Sequence, residues 1–168
     1  MKKFLCILIT VFPLLCSLDF DMMPPPQNAS FSPFVMTVGI EKPLENFKVT
    51  SPFGYRFHPI SGELDFHYGV DLKSEKKAPI FAVQNGVILV SGSHNSYGKY
   101  IIIDHFNGFS TLYAHCSKLL KKEGERVEKG EKIAIIGKTG EATGEHLHFE
   151  IRFNGVRYDA SYILDDIL

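Results

Sequence analysis

The chain has 168 residues, enough for one domain with a terminal appendage. Hydrophobic residues at 45% and charged ones at 22% describe a globular chain that buries a core and exclude a disordered one. A formal net charge of −1 leaves no basic footprint for nucleic acid, and a single cysteine beyond the N-terminal stretch, Cys116, excludes a disulfide framework.

Lys2 and Lys3 precede a nearly unbroken apolar run over residues 4–18, and Asp19 and Asp21 follow it. A basic start and a short apolar run make an export signal or an N-terminal membrane anchor of residues 1–18. The run is short for a bilayer span, which takes about 20 residues, and Pro13 interrupts it. Cys16 fits lipid attachment, although Leu15 before it is a poor match to such signals. The rest of the chain is therefore expected outside the cytoplasm, in the periplasm, cell wall or medium. Residues 19–46 contain Pro24-Pro25-Pro26 and Pro33 and read as an extended linker. The folded domain is expected over 47–168.

Within it, β-type runs lie at Pro79–Val83, Gly86–Ser91, Tyr100–His105, Phe109–His115, Lys132–Ile136 and His146–Phe153. Asn85-Gly86, Asn107-Gly108 and Asn154-Gly155 punctuate them. Ser117–Lys122 and Ser161–Ile167 are the only stretches that read as a helical turn or two. The fold class is all-β: a compact, mostly antiparallel sandwich or barrel-sandwich. Residues 78–87 and 124–133 echo one another, each a strand, a glycine turn and a second strand, as in barrel-sandwich carrier domains. A carrier would need a modifiable hairpin lysine and no histidine cluster.

Two spacings among the seven histidines carry chemistry: His67 with Asp71, and His146 with His148. Period-two alternation over 146–151 puts both histidines on one strand face and packs Leu147, Phe149 and Ile151 on the other. Two imidazoles on a solvated face without a metal have the same pattern. An extended strand over 67–71 would align His67 and Asp71, with Gly69 leaving room between them. Two imidazoles and a carboxylate with a fourth position open suit catalytic zinc. Beside His115, Cys116 reads as a small core residue rather than a ligand. Glu150 could orient His148, but an exposed strand glutamate is the simpler expectation. Arg56 and His58 could line a groove and hold a substrate carboxylate, or serve as ordinary loop residues.

Seven blocks in order resemble the lysostaphin-type peptidoglycan endopeptidases, the LytM-like zinc metallopeptidases, over residues 49–159. They are Thr50-Ser51-Pro52-Phe53-Gly54-Tyr55-Arg56 with His58-Pro59, His67-Tyr68-Gly69-Val70-Asp71, Asn85-Gly86-Val87, Tyr97-Gly98-Lys99-Tyr100, Tyr113-Ala114-His115, Gly137-Lys138-Thr139-Gly140, and Thr143-Gly144-Glu145-His146-Leu147-His148-Phe149-Glu150. The resemblance implies a β fold with a metal groove, one Zn²⁺ held by His67, Asp71 and His148, and catalytic roles for His115 and His146. It also implies cross-link peptides of bacterial peptidoglycan as the partner. Asp159-Ala160 departs from the pattern where a proline is expected. The alternative within the same fold is a non-catalytic scaffold or activator of another wall hydrolase, which would be expected to lack metal ligands.

Overall fold

A computed structural model describes residues 39–161 and residue 164. The expected export segment and residues 19–38 of the expected linker lie outside them. Apolar residues at every second position turn the runs after residue 69 into strands whose inner faces close on one core. Val70 and Leu72 of β4 (Val70–Lys73), Tyr113 of β8 (Phe109–Cys116), and Leu147, Phe149 and Ile151 of β12 (Leu147–Phe153) are all essentially inaccessible.

These strands belong to an eight-stranded sheet ordered β1-β4-β12-β8-β7-β6-β10, with β1 at Lys48–Ser51, β6 at Gly86–His94, β7 at Gly98–Asp104 and β10 at Arg126–Val127. The eighth strand, β13 (Val156–Tyr158), pairs with β12 across the Asn154-Gly155 turn. Both turn residues have positive φ, as a two-residue hairpin of this kind demands. A three-stranded sheet packs β5 (Pro79–Phe81), β11 (Lys132–Ile135) and β9 (Lys118–Leu119) in the order β5-β11-β9. β2 (Gly54–Phe57) and β3 (Leu64–His67) form a separate hairpin. All pairings among the described strands are antiparallel. The all-β expectation holds.

The two echoing segments interlock. The first strand of one pairs with the last of the other: β5 with β11, and β10 with β6. Their turns also bond reciprocally, Ala82 N–H to Glu131 O at 2.9 Å and Gly130 N–H to Ala82 O at 2.8 Å. The echo is thus a packing device of the barrel-sandwich and not a carrier hairpin.

Three local expectations change. The helical turn expected at 117–122 is the edge strand β9, because Ser117 and Leu120 donate to Ile135 O and Ile133 O and so extend the sheet. Residues 39–46, assigned to the linker, pack on the domain: Glu41 N–H donates to Val83 O, Phe81 N–H to Pro43 O, and Leu44 is fully buried. Leu44→Ala should therefore cost about 2–5 kcal/mol, measured by urea unfolding; a loss below 0.5 kcal/mol would show that this segment is not part of the folded unit. Finally, Asp159, standing where proline was expected, accepts hydrogen bonds from Ser161 N–H at 2.9 Å and from its hydroxyl at 2.6 Å. That is an N-cap. Leu164 N–H then donates to Ala160 O in helical fashion, and the remainder of the expected turn at 161–167 lies outside the described residues.

Candidate metal centre

Sheet register assembles the site. His148 of β12 faces Asp71 of β4 on one side and Ala114 of β8 on the other, so three adjacent strands present their chemistry in one row. His67 comes from the end of β3. The continuous strand expected over 67–71 is broken at Tyr68-Gly69, where the backbone passes beneath His148. A Cβ on Gly69 would lie 2.8 Å from that imidazole and 2.6 Å from Phe149 O, so only glycine permits the approach. The break brings His67 back onto Asp71.

Three atoms converge: His67 Nε2, Asp71 Oδ1 and His148 Nδ1 lie 3.0–3.1 Å apart. They are the group of described residues placed to hold a metal ion. Their other atoms are already committed. His67 Nδ1–H donates to Pro52 O at 2.8 Å, and His148 Nε2–H donates to Glu150 Oε1 at 3.1 Å. With those tautomers, three lone pairs meet and only a cation can satisfy them. Burial opposes a charged His148, but hydrogen bonds to Asp71 and Glu150 outweigh it and raise its pKa to about 9. Burial likewise disfavours the Asp71 carboxylate, yet His148 and His67 hold it well below the usual range. Donors this close can share one ion, and two nitrogens with one oxygen suit zinc.

His146 and His115 stand beside this triangle. His146 Nε2 is 3.6 Å from Asp71 Oδ1, and the two imidazoles are 4.7 Å apart between centroids. Each turns Nδ1–H to a backbone carbonyl, His146 to Gly144 O and His115 to Thr139 O, both at 2.9 Å. Nε2 is left on the far side of each ring as an acceptor. His115 reaches its place through a bulge: the β7–β8 register slips between Lys99 and Ile101, and His115 takes φ 60°. Few non-glycine residues adopt that backbone, and bulges of this kind re-aim side chains. Burial lowers the His115 pKa to about 4, so its ring is neutral near pH 7. Cys116 next to it is buried in the core with its thiol pushed up to about 12, a packing residue as expected.

The cluster opens on a groove of about 1170 Å³, lined among others by Arg56, His58, Lys73, Tyr97 and Glu145. A metal-sized donor triangle in a groove, flanked by two imidazoles on a barrel-sandwich, is the arrangement that the seven sequence blocks implied. Residues 65–160 match the description Peptidase family M23. The chain belongs to that family.

This M23 domain is 44% identical over 114 residues to the DD-carboxypeptidase/endopeptidase Mpg of Neisseria meningitidis serogroup B, covering 68% of this chain and 26% of Mpg. The chain thus spans about a quarter of that relative's length. A zinc-containing peptidase from Vibrio cholerae superposes with a TM-score of 0.66 at 36% identity, covering 70% of this chain and 37% of that one. The catalytic domain of the antimicrobial peptidase lysostaphin from Staphylococcus simulans does so with a TM-score of 0.64 at 30% identity, covering 71% of this chain and 92% of that one.

Around the M23 site, one expectation is overturned. Glu150 is not an exposed strand glutamate: it is fully buried, because β12 is covered on both faces. Its Oε1 accepts from His148 and from Tyr97 Oη–H at 2.6 Å, and its Oε2 accepts from Arg152 Nε at 2.8 Å and Arg157 Nε at 3.2 Å. Burial works against its charge, but His148 and the two arginines hold it ionised. Arg152 and Arg157 lie outside the sequence blocks and Tyr97 falls in one without a role, because all three side chains hold Glu150 and none meets the donor triangle. Removing the carboxylate frees the His148 tautomer. Glu150→Ala is expected to weaken zinc binding by about 10–100-fold, read by competition with a chromogenic chelator; unchanged affinity would show that Glu150 does not set the ligand.

Proposed function

We propose that this chain is a zinc endopeptidase that hydrolyses peptide cross-links of bacterial peptidoglycan, at bonds between D-residues. The observation that carries the reading is the convergence of three metal-binding atoms at 3.0–3.1 Å beside two imidazoles that turn Nδ1 to backbone carbonyls. The D,D preference is supported by the name of the Mpg relative. His67, Asp71 and His148 are the ligands of one Zn²⁺ per chain, which supplies Lewis acidity, polarising the scissile carbonyl and acidifying water.

The protein groups do the rest. Glu150 fixes His148 with Nδ1 towards the ion, and Pro52 O does the same for His67 Nε2. His115 and His146 serve as base and transition-state stabiliser. Each is an acceptor when neutral and a donor once protonated, so the pair can take a proton from the attacking water and return it to the leaving amine. A non-catalytic scaffold would not need to retain an intact ligand triangle, and this chain retains it. The substrate implies action outside the cytoplasm, in the periplasm or wall, reached through the export segment 1–18 and a linker that gives way to the domain before residue 40.

Digestion of purified sacculi followed by mass spectrometry of the released muropeptides tests the proposal. Cross-linked dimers should decline as monomers with a new D-terminal carboxylate appear, and a chelator should stop the change. Dimers that persist with the zinc-loaded protein would overturn it.

A further inference from the structure

Arg56 is oddly provisioned for a structural arginine. It lies on the groove-facing side of β2, and only Nη1 is engaged, by Ser51 Oγ at 2.9 Å and Asp71 Oδ2 at 3.4 Å. Its Nε is shut away from solvent with no partner, and its remaining donors meet no acceptor among the described residues. Its cross-strand neighbour Asp65 does not neutralise it; that carboxylate accepts Phe66 N–H instead. Two further cations line the same groove. Lys73 is two residues beyond Asp71 on the same face of β4, Lys76 follows, and neither forms an ion pair among the described residues. Glu141 and Glu145 line the groove from the loop before β12. An under-used guanidinium beside Asp71 thus lines the groove in which a substrate must lie.

We propose that Arg56 anchors a free α-carboxylate on the leaving-side residue of the substrate, with Lys73 and Lys76 making that end of the groove cationic. The inference rests on the D,D reading above. A residue that gives its amine to a D,D bond carries its own α-carboxylate one carbon from the scissile nitrogen, whether it ends a chain or joins two. Nη2 of the guanidinium is left to take such a carboxylate while Nη1 stays on Ser51 and Asp71. Recognition of that group fixes which amide presents its carbonyl to the site, and it disfavours walls in which the carboxylate is amidated.

The test compares two synthetic substrates with the same D,D bond, one with the free α-carboxylate and one with its carboxamide, using zinc-loaded full-length protein. The wild type should prefer the acid in kcat/KM by about 10- to 100-fold, the worth of a charged hydrogen bond. Arg56→Gln should erase most of that preference, leave the amide within about 3-fold of wild type, and keep one zinc per chain; Arg56→Lys should recover part of it. Equal rates on acid and amide by the wild type would overturn the inference alone. So would R56Q losing its zinc, or slowing both substrates alike, since Arg56 would then act through Asp71. Failure to cut either substrate or sacculi would overturn the endopeptidase reading and this inference with it.

Discussion

Replacing His67, Asp71 or His148 with alanine is expected to remove zinc and hydrolysis together. Each contributes one of three atoms that sit 3.0–3.1 Å apart, the group of described residues placed to hold a metal ion. His146 Nε2 lies 3.6 Å from Asp71 Oδ1, outside that triangle. Affinity should fall by more than the roughly 10–100-fold that the loss of an outer-shell partner costs. Elemental analysis after gel filtration, run with circular dichroism to show that the sheet survives, measures this. A His148→Ala protein that keeps one zinc while His146→Ala loses it would reverse the ligand assignment.

The second large effect separates chemistry from binding. His115→Ala and His146→Ala should each keep near-stoichiometric zinc if, as proposed, neither ring is a ligand, while kcat falls by about 10²- to 10⁴-fold. The double variant should lose less than the product of the two if both rings serve one transition state, as proposed. Steady-state rates on a cross-linked muropeptide, set beside zinc content, give the answer. Single variants with wild-type turnover would remove both rings from the mechanism.

Much of this is legible in the sequence. The runs expected at 86–91, 100–105, 109–115 and 146–153 are the strands at 86–94, 98–104, 109–116 and 147–153, announced by their β-type residues and the glycine turns beside them. The three donor atoms follow from the His67–Asp71 spacing and the His146–His148 pair, but spacing alone left open which member of the pair meets the others. Register decides that geometry: His148 lies opposite Asp71, while His146 lies ahead of β12 in a bridge to Gly137. Short strands with mixed faces were not legible. Lys48–Ser51 and Gly54–Phe57 expose most of one side, and Lys118–Leu119 exists only because β11 offers it an edge. Glu150 was misjudged for a related reason. Alternation shows that it shares a face with His148, but only the fold shows that Tyr97, Arg152 and Arg157 cover that face. The bulge at His115 is likewise a product of pairing two strands of unequal length, which no local pattern reports.

The most direct measurement of the central claim is a zinc titration of the metal-stripped full chain, following the rate of D,D-bond hydrolysis in a cross-linked muropeptide. One site built from His67, Asp71 and His148 should give a rate that climbs linearly and levels off at one zinc per chain, with the three ligand variants flat throughout. Hydrolysis by the stripped protein at full rate, or a plateau reached only at two zinc ions, would contradict it.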